Sequence, residues 1–223
     1  MANTLAFDVY GTLIDTSGIA VALQKHVGER AGAFAGLWRE KQLEYSFRRG
    51  LMRQYETFTV CTRHALEYAC RFFALEINEA DKAELMAAYR ALPAFADVEA
   101  GLLEVQSADF NMFAFSNGPQ SDVQQLLQNA GIENFFSDIV SVDEIKSFKP
   151  DPTVYEHFLQ RAEADRREAW LISSNPFDVI GAMGVGMRAV WVKRSEKALF
   201  DPWDVTPTVT ITNLSELATA IQT

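Results

Sequence analysis

Leu5-Ala6-Phe7-Asp8-Val9-Tyr10-Gly11-Thr12 is the stretch on which the fold of this chain turns. Leu5 to Val9 is a short, nearly continuous apolar run, too short for a helix, and it predicts a buried strand. Tyr10-Gly11-Thr12 follows as a turn signal, so Asp8 lies where a strand runs into a loop. Beyond it, from about Thr16 to Ala91, the pattern becomes helical, with runs Phe34–Met52 and Phe58–Phe73 and no proline. Leu92-Pro93 closes that block, because the residue before a proline is pushed out of helical conformation.

After Pro93 strand-like and helix-like segments alternate. Strands are predicted at Met112–Phe115, Ile139–Val142, Trp170–Ile172, Ala189–Val192 and Val209–Ile211. Helices are predicted at Ser121–Ala130, Pro152–Ala162, Val179–Met183 and Leu214–Ile221. Such alternation implies an α/β fold, a doubly wound parallel sheet of Rossmann-like type covered by helices, with right-handed crossovers. The helical block then reads as an inserted cap domain at 16–92, and residues 1–15 with 93–223 as the α/β core domain.

The composition narrows the function. With 48% apolar and 22% charged residues the 223-residue chain can bury a real core. Its net charge of −10 and the absence of any long Lys/Arg run argue against a nucleic-acid partner. No apolar stretch reaches membrane-spanning length and no basic-then-apolar leader is present, so a cytoplasmic protein without a membrane partner is expected. Cys61 and Cys70, nine apart in predicted helix, fit neither a redox pair nor a zinc knuckle and read as reduced, buried thiols. His26, His64 and His157 are scattered and receive no role. The predicted cap carries eleven basic and nine acidic residues, a net +2, against −12 for the remainder, which makes it the less repulsive surface for an anion.

In a doubly wound sheet, ligands bind beyond the carboxyl ends of the strands. Four polar clusters fall there: Asp8-Val9-Tyr10-Gly11-Thr12, Ser116-Asn117-Gly118, Lys149-Pro150-Asp151-Pro152, and Ser173-Ser174-Asn175-Pro176-Phe177-Asp178. Any one alone could be turn or capping chemistry. In their order and wording, with FDVYGTLID, LWREKQLEY, FSNG, FKPDPTVYE and SSNPFD, they resemble the haloacid dehalogenase superfamily and, within it, the L-2-haloacid dehalogenases (type II). The resemblance implies a haloacid dehalogenase fold with a helical cap. It implies conversion of (S)-2-haloalkanoic acids to (R)-2-hydroxyalkanoic acids plus halide, with no metal and no organic cofactor. A small-molecule 2-haloacid is then the partner, and a homodimer the assembly.

The same resemblance assigns roles residue by residue. Asp8 is the nucleophile, displacing halide from C2 with inversion to give an aspartyl ester that water then hydrolyses. Lys149 holds Asp8 ionised and oriented. Ser116 binds the substrate carboxylate, and Arg39 with Asn117 receives the halide. Asp178, with Ser173 and Asn175, orients or deprotonates the hydrolytic water. Thr12 and Tyr155 complete the polar site, Tyr155 as a partner for Lys149. Tyr10, Leu43, Phe58 and Phe177 line an apolar pocket around the alkyl group.

Most of the superfamily are magnesium-dependent phosphotransferases with an acid two positions after the nucleophile and more acids after the fourth motif strand. Here those places hold Tyr10 and a single carboxylate, Asp178. A halide leaves as a stable anion and needs no general acid, so the departure fits dehalogenation. A small-metabolite phosphatase and a non-catalytic member of the fold stand as the alternatives. Two further departures bear on substrate choice: Glu40 where the subfamily commonly has Gln, and Phe177 where it often has Trp. Gly181-x-x-Gly184-x-Gly186 has the wrong spacing for a dinucleotide turn and is read as close helix packing.

Overall fold

The computed structural model describes residues 4–108 and 110–222. Six parallel strands form one sheet in the order β3-β2-β1-β4-β5-β6. They are β1 (Thr4–Asp8), β2 (Asn111–Ser116), β3 (Asp138–Ser141), β4 (Ala169–Ser173), β5 (Arg188–Val192) and β6 (Val209–Ile211). Every residue of β1 and of β4 is buried, as central strands covered on both faces must be. The strand order reverses direction between β1 and β4, and the crevice beyond their carboxyl ends is where such sheets bind ligands.

The helical insertion comprises α1 (Ile19–Val27), α2 (Ala31–Met52), α3 (Phe58–Phe72) and α4 (Glu79–Tyr89). Local chemistry starts two of them: the Thr57 hydroxyl accepts the Val60 N–H at the head of α3, and the Asn78 side chain accepts the Asp81 N–H at the head of α4. Their shared core is aromatic, with Trp38 between Phe34 and Tyr89 and its indole N–H donated to the Thr62 carbonyl at 2.8 Å. The chain leaves the sheet and rejoins it at adjacent points. The Asp15 N–H donates to the Pro93 carbonyl at 2.9 Å, and Ile14 bridges Ala94.

Cys61 and Cys70 both lie in α3, buried and unpaired; burial pushes the Cys61 thiol up to about 11. No helix among the described residues is long and apolar enough to cross a membrane.

The rest of the chain supplies α5 (Val98–Ser107), α6 (Gln120–Asn129), α7 (Pro152–Arg161), α8 (Pro176–Gly184) and α9 (Leu217–Gln222). Several boundaries and one helix differ from the sequence reading. Val9 belongs to the turn, not to β1, because its carbonyl already accepts the N–H groups of Leu13 and Ile14, both at 3.0 Å. The segment from Leu214 opens as a 3-10 turn, with the Asn213 side chain accepting the Ser215 N–H at 2.9 Å, before α9 begins. α5 was not among the predicted helices, although Val98, Gly101, Leu102 and Val105 are buried at helical spacing.

Gly101 brings α5 against the Leu214 turn so closely that a β-carbon there would lie 2.7 Å from the Leu214 carbonyl carbon. Backbone cannot yield as a side chain can. Gly101→Ala should therefore destabilise by ~1–3 kcal/mol, despite alanine's better helix propensity. Urea unfolding measures this, and a midpoint at or above wild type would contradict the packing described.

Candidate active site

The loops after β1, β2 and β4 and the Ser147–Pro152 loop converge beyond the sheet at the switch point. Asp8, the last residue of β1, is 6% exposed. Its Oδ2 accepts the Thr12 hydroxyl at 2.7 Å and the Asn175 amide at 2.8 Å. Its Oδ1 accepts the Lys149 ammonium at 3.1 Å.

Lys149 is fully buried, and its ammonium also donates to Asp178 Oδ2 and to the Phe115 carbonyl, each at 2.9 Å. Three acceptors use its three hydrogens, and the Phe115 ring centroid lies 4.1 Å away as a fourth, diffuse partner. The backbone is held too: the Lys149 N–H donates to Asn117 Oδ1 at 2.9 Å.

Asp178 sits in the first turn of α8 with no solvent exposure. Burial raises its pKa above the ordinary carboxylate value; the Lys149 charge opposes that shift, and the Asp8 charge adds to it. Its Oδ1 accepts the Tyr155 hydroxyl at 2.8 Å. Burial first, and then the Asp178 carboxylate, drives the Tyr155 phenol well above its usual range, so it remains a protonated donor. Tyr155 can come this near because Gly181 has no side chain: a β-carbon there would lie 2.4 Å from the hydroxyl. The close-packing reading thus holds at Gly181. Gly184 meets nothing within 4 Å, and Gly186 adopts a φ of +89°.

Asp8, Thr12, Asn117, Lys149, Tyr155, Asn175 and Asp178 therefore form one connected cluster. The buried hydroxyls of Ser116 and Ser173 accept N–H groups two residues on, from Gly118 and Asn175, both at 3.1 Å. Each closes the turn after its strand.

Arg39, on α2, reaches across from the insertion. Its guanidinium donates to the Tyr10 carbonyl at 3.1 Å and to Gln42 Oε1 at 2.7 Å. The Tyr10 ring packs on Phe58 at 5.5 Å and on Tyr89 at 6.0 Å. Leu43 and Phe177 are half-buried, the latter edge-on to Phe47 at 5.0 Å. Glu40 is exposed.

Three contributors have no role in the sequence reading. Fully buried Gln42 gathers Arg39, the Tyr89 hydroxyl at 3.0 Å and the Thr62 hydroxyl, linking α2, α3 and α4. Its only sequence signal is its position three residues after Arg39 on a helix. Arg194 grips both oxygens of Asp97, at 2.8 and 2.6 Å, and donates to the Thr12 carbonyl at 2.6 Å, fixing the loop after Asp8. The Ser174 N–H donates to the Thr12 oxygen at 2.8 Å, leaving that hydroxyl free to donate to Asp8.

These residues do not fit a magnesium centre. A hard divalent cation needs several converging oxygens. Here an ammonium already bridges the two carboxylates, and N–H or O–H donors occupy their other oxygens. Among the described residues no group of three or more His, Cys, Asp or Glu side chains is gathered to hold a metal ion.

The haloacid dehalogenase-like hydrolase family matches this chain over residues 5–192. The (S)-2-haloacid dehalogenase 2 of Pseudomonas sp. (strain CBS-3) is 35% identical over 96% of this chain and 93% of its own length. The structure of L-2-haloacid dehalogenase from Xanthobacter autotrophicus superimposes with a TM-score of 0.94 at 30% identity, covering 100% of this chain and 99% of that one. The same enzyme with chloropropionic acid covalently bound gives a TM-score of 0.93, at the same identity and coverage.

Lys149→Met would leave two buried carboxylates without their shared cation, a change that costs ~3–5 kcal/mol. The deficit should depend on pH. A carboxyl whose folded pKa lies above its unfolded value, as Asp178's does, contributes stability below the unfolded value of about 3.9 and loses it as pH rises through the folded one. Removing Lys149 raises the folded value further. The gap between variant and wild type should accordingly widen from pH 4 to pH 7 in urea titrations; a constant gap would contradict the electrostatic account.

Proposed function

We propose that this chain, which belongs to the haloacid dehalogenase-like hydrolases, hydrolyses (S)-2-haloalkanoic acids to (R)-2-hydroxyalkanoic acids and halide through an ester on Asp8. The observation that carries the reading is the buried Asp8 carboxylate, aimed by Thr12, Asn175 and Lys149 at a strand end whose next-but-one residue is Tyr10, not an acid. Such a site can displace a leaving group that needs no proton. The covalent chloropropionic acid adduct of the Xanthobacter enzyme supports the ester.

In the first step Asp8 attacks C2 opposite the carbon–halogen bond, forming the ester C–O bond as the halide leaves with its electron pair, and C2 inverts. Ser116 and the backbone amides after Asp8 take the substrate carboxylate, while Arg39 and Asn117 receive the halide. Tyr10, Leu43, Phe58 and Phe177 shield the alkyl group from water that would solvate Asp8. In the second step water attacks the Asp8 carbonyl carbon, and Asp178, positioned by Tyr155, takes its proton. The tetrahedral intermediate collapses by breaking the acyl C–O bond, Asp178 returns the proton to the departing alkoxide, and Asp8, left as the carboxylic acid, gives its proton to solvent to restore the carboxylate. C2 is untouched in this step, so the product is the (R) acid.

Residues 16–92 serve as the cap and 1–15 with 93–223 as the core, a division supported by the adjacent exit and return of the chain at Asp15 and Pro93. The buried unpaired thiols fit the cytoplasm. A homodimer through the cap is supported by Phe72, 64% exposed, stacked on partly exposed Tyr68. Phe72→Glu should halve the mass seen by light scattering; an unchanged mass would remove this face from the assembly.

With chelator present, (S)-2-chloropropionate should release chloride and give (R)-lactate, and the (R) enantiomer should not react. Asp8→Asn should abolish release, and retained release without reversion to Asp would sink the nucleophile. Asp178→Asn should release about one equivalent of chloride and stop as an ester visible by mass. In wild type the ester-hydrolysis step should lose rate as pH falls through the raised Asp178 value, so its acid limb should lie above the ordinary carboxylate range near pH 4.

A further inference from the structure

Gln42 lies on α2, one turn after Trp38 and three residues after Arg39, with no solvent exposure. A buried amide costs free energy unless its oxygen and its nitrogen are both partnered. Here they are. Oε1 accepts the Arg39 guanidinium at 2.7 Å and the Tyr89 hydroxyl at 3.0 Å, and Nε2 donates to the Thr62 hydroxyl oxygen. Thr62 fixes which way the amide faces: its own hydrogen goes to the Phe58 carbonyl at 2.8 Å, so toward Gln42 it can only accept. A reversed amide would set N–H against the guanidinium. The Thr62 carbonyl in turn takes the Trp38 indole N–H at 2.8 Å, so two side chains of α2 are pinned to one residue of α3.

The oxygen so placed is neutral. The other acceptor of Arg39, the Tyr10 carbonyl at 3.1 Å, is neutral too. Among the described residues Arg39 enters no ion pair with a carboxylate, whereas Arg48, Arg63, Arg161 and Arg194 each do. Its guanidinium lies against the loop after Asp8, where a β-carbon on Gly11 would stand 3.9 Å from Nη2. One hydrogen on each terminal nitrogen is engaged, and the remaining N–H groups of the fork stay available to an anion.

We infer that Gln42 is a positioning residue: its amide oxygen aims the Arg39 guanidinium at the departing halide without spending the cation's charge. The inference rests on the dehalogenation reading and deepens its first step. A carboxylate at this place would aim the arginine as well, but would neutralise it before the substrate arrived. An apolar side chain would pack as well, but would leave the fork unaimed. Thr62 and Tyr89 reach the reaction only through this amide, which is how α3 and α4 bear on the leaving group.

The test is the single-turnover rate of halide release from (S)-2-chloropropionate and (S)-2-iodopropionate. Chloride concentrates its departing charge more than iodide does, so an aimed donor favours it more. Gln42→Leu should slow chloride release about ten- to hundredfold and iodide release severalfold less, lowering the chloride-to-iodide ratio. A loss of folded enzyme would lower both rates equally and leave that ratio unmoved. Gln42→Glu should raise KM for the chloro acid about tenfold, because the paired guanidinium no longer attracts an anion. In an Arg39→Lys background Gln42→Leu should have little further effect, since it acts through the fork that the lysine lacks. Tyr89→Phe keeps the ring, removes only the second donor to the same oxygen, and should shift the ratio the same way; it decides the matter should the Gln42 variants fail to fold. Equal losses for the two halides, an unmoved KM in Gln42→Glu, or additive effects in the Arg39→Lys background overturn the inference while leaving dehalogenation intact. Should wild type release no halide, the dehalogenation reading fails separately, and calorimetric titration with bromide decides. Weaker bromide binding in Gln42→Leu, with no further loss on Arg39→Lys, supports the positioning role; an affinity unmoved by Gln42→Leu, or no binding in wild type, overturns it.

Discussion

One ammonium shared by two buried carboxylates is the constraint that the rest of the molecule serves. Lys149 lies between Asp8 and Asp178 at 3.1 and 2.9 Å, none of the three in appreciable contact with water. Buried ion clusters are poor stabilisers, because desolvation cancels most of the Coulomb attraction unless every remaining hydrogen and lone pair is used. The surroundings meet that condition. The Phe115 carbonyl takes the third ammonium hydrogen, Asn117 fixes the lysine backbone, Thr12 and Asn175 complete Asp8, and Tyr155 completes Asp178. Even the glycine at 181 belongs to this set, since it admits the Tyr155 hydroxyl.

The cluster also explains how charge can be conserved through the proposed reaction. Two carboxylates and one ammonium leave an excess negative charge, and an anionic substrate adds another. Arg39, tethered to the Tyr10 carbonyl and to Gln42, is the cation that answers it. When halide departs, esterified Asp8 is neutral while the substrate carboxylate remains, so the site returns to its starting charge. The second step then begins in the electrostatic environment that the free site already tolerates. The guanidinium comes from the insertion and the lysine from the core. The charge pattern is therefore assembled from two parts of the chain far apart in sequence.

Some of this was legible in the sequence and some was not, for reasons that differ in kind. Asp8 stood out because an apolar run breaks there into a turn, and a central parallel strand leaves that local mark. Strand ends moved by about one residue, as at Val9, because the turn's hydrogen bonds, not hydropathy, decide where a strand stops. α5 carries a readable helical pattern in Val98, Gly101, Leu102 and Val105. Gln42 and Arg194 were not readable. A glutamine on a charged helix looks solvated, and its partner hydroxyls lie 20 and 47 residues away. Arg194 acts on Asp97 and Thr12, 97 and 182 residues distant. Lys149 itself became meaningful only through the resemblance of its motif, since its carboxylate partner Asp8 is 141 residues away.

Position 10 shows how a fold shared with phosphotransferases is turned to a different leaving group. An acid there would add a third carboxylate to a site with one lysine, and would have to be kept protonated at a cost the arrangement does not offset. Tyr10 adds no charge: burial, above all other causes, drives its phenol far above the physiological range, and its ring packs on Phe58 and Tyr89 as a wall. The polar duty of the position passes to its carbonyl, which accepts from Arg39 and from Asn175. Backbone thus joins Arg39 to the amide that aims Asp8. A leaving group that needs a proton finds no carboxylic acid at that position, and one that departs as a stable anion needs none.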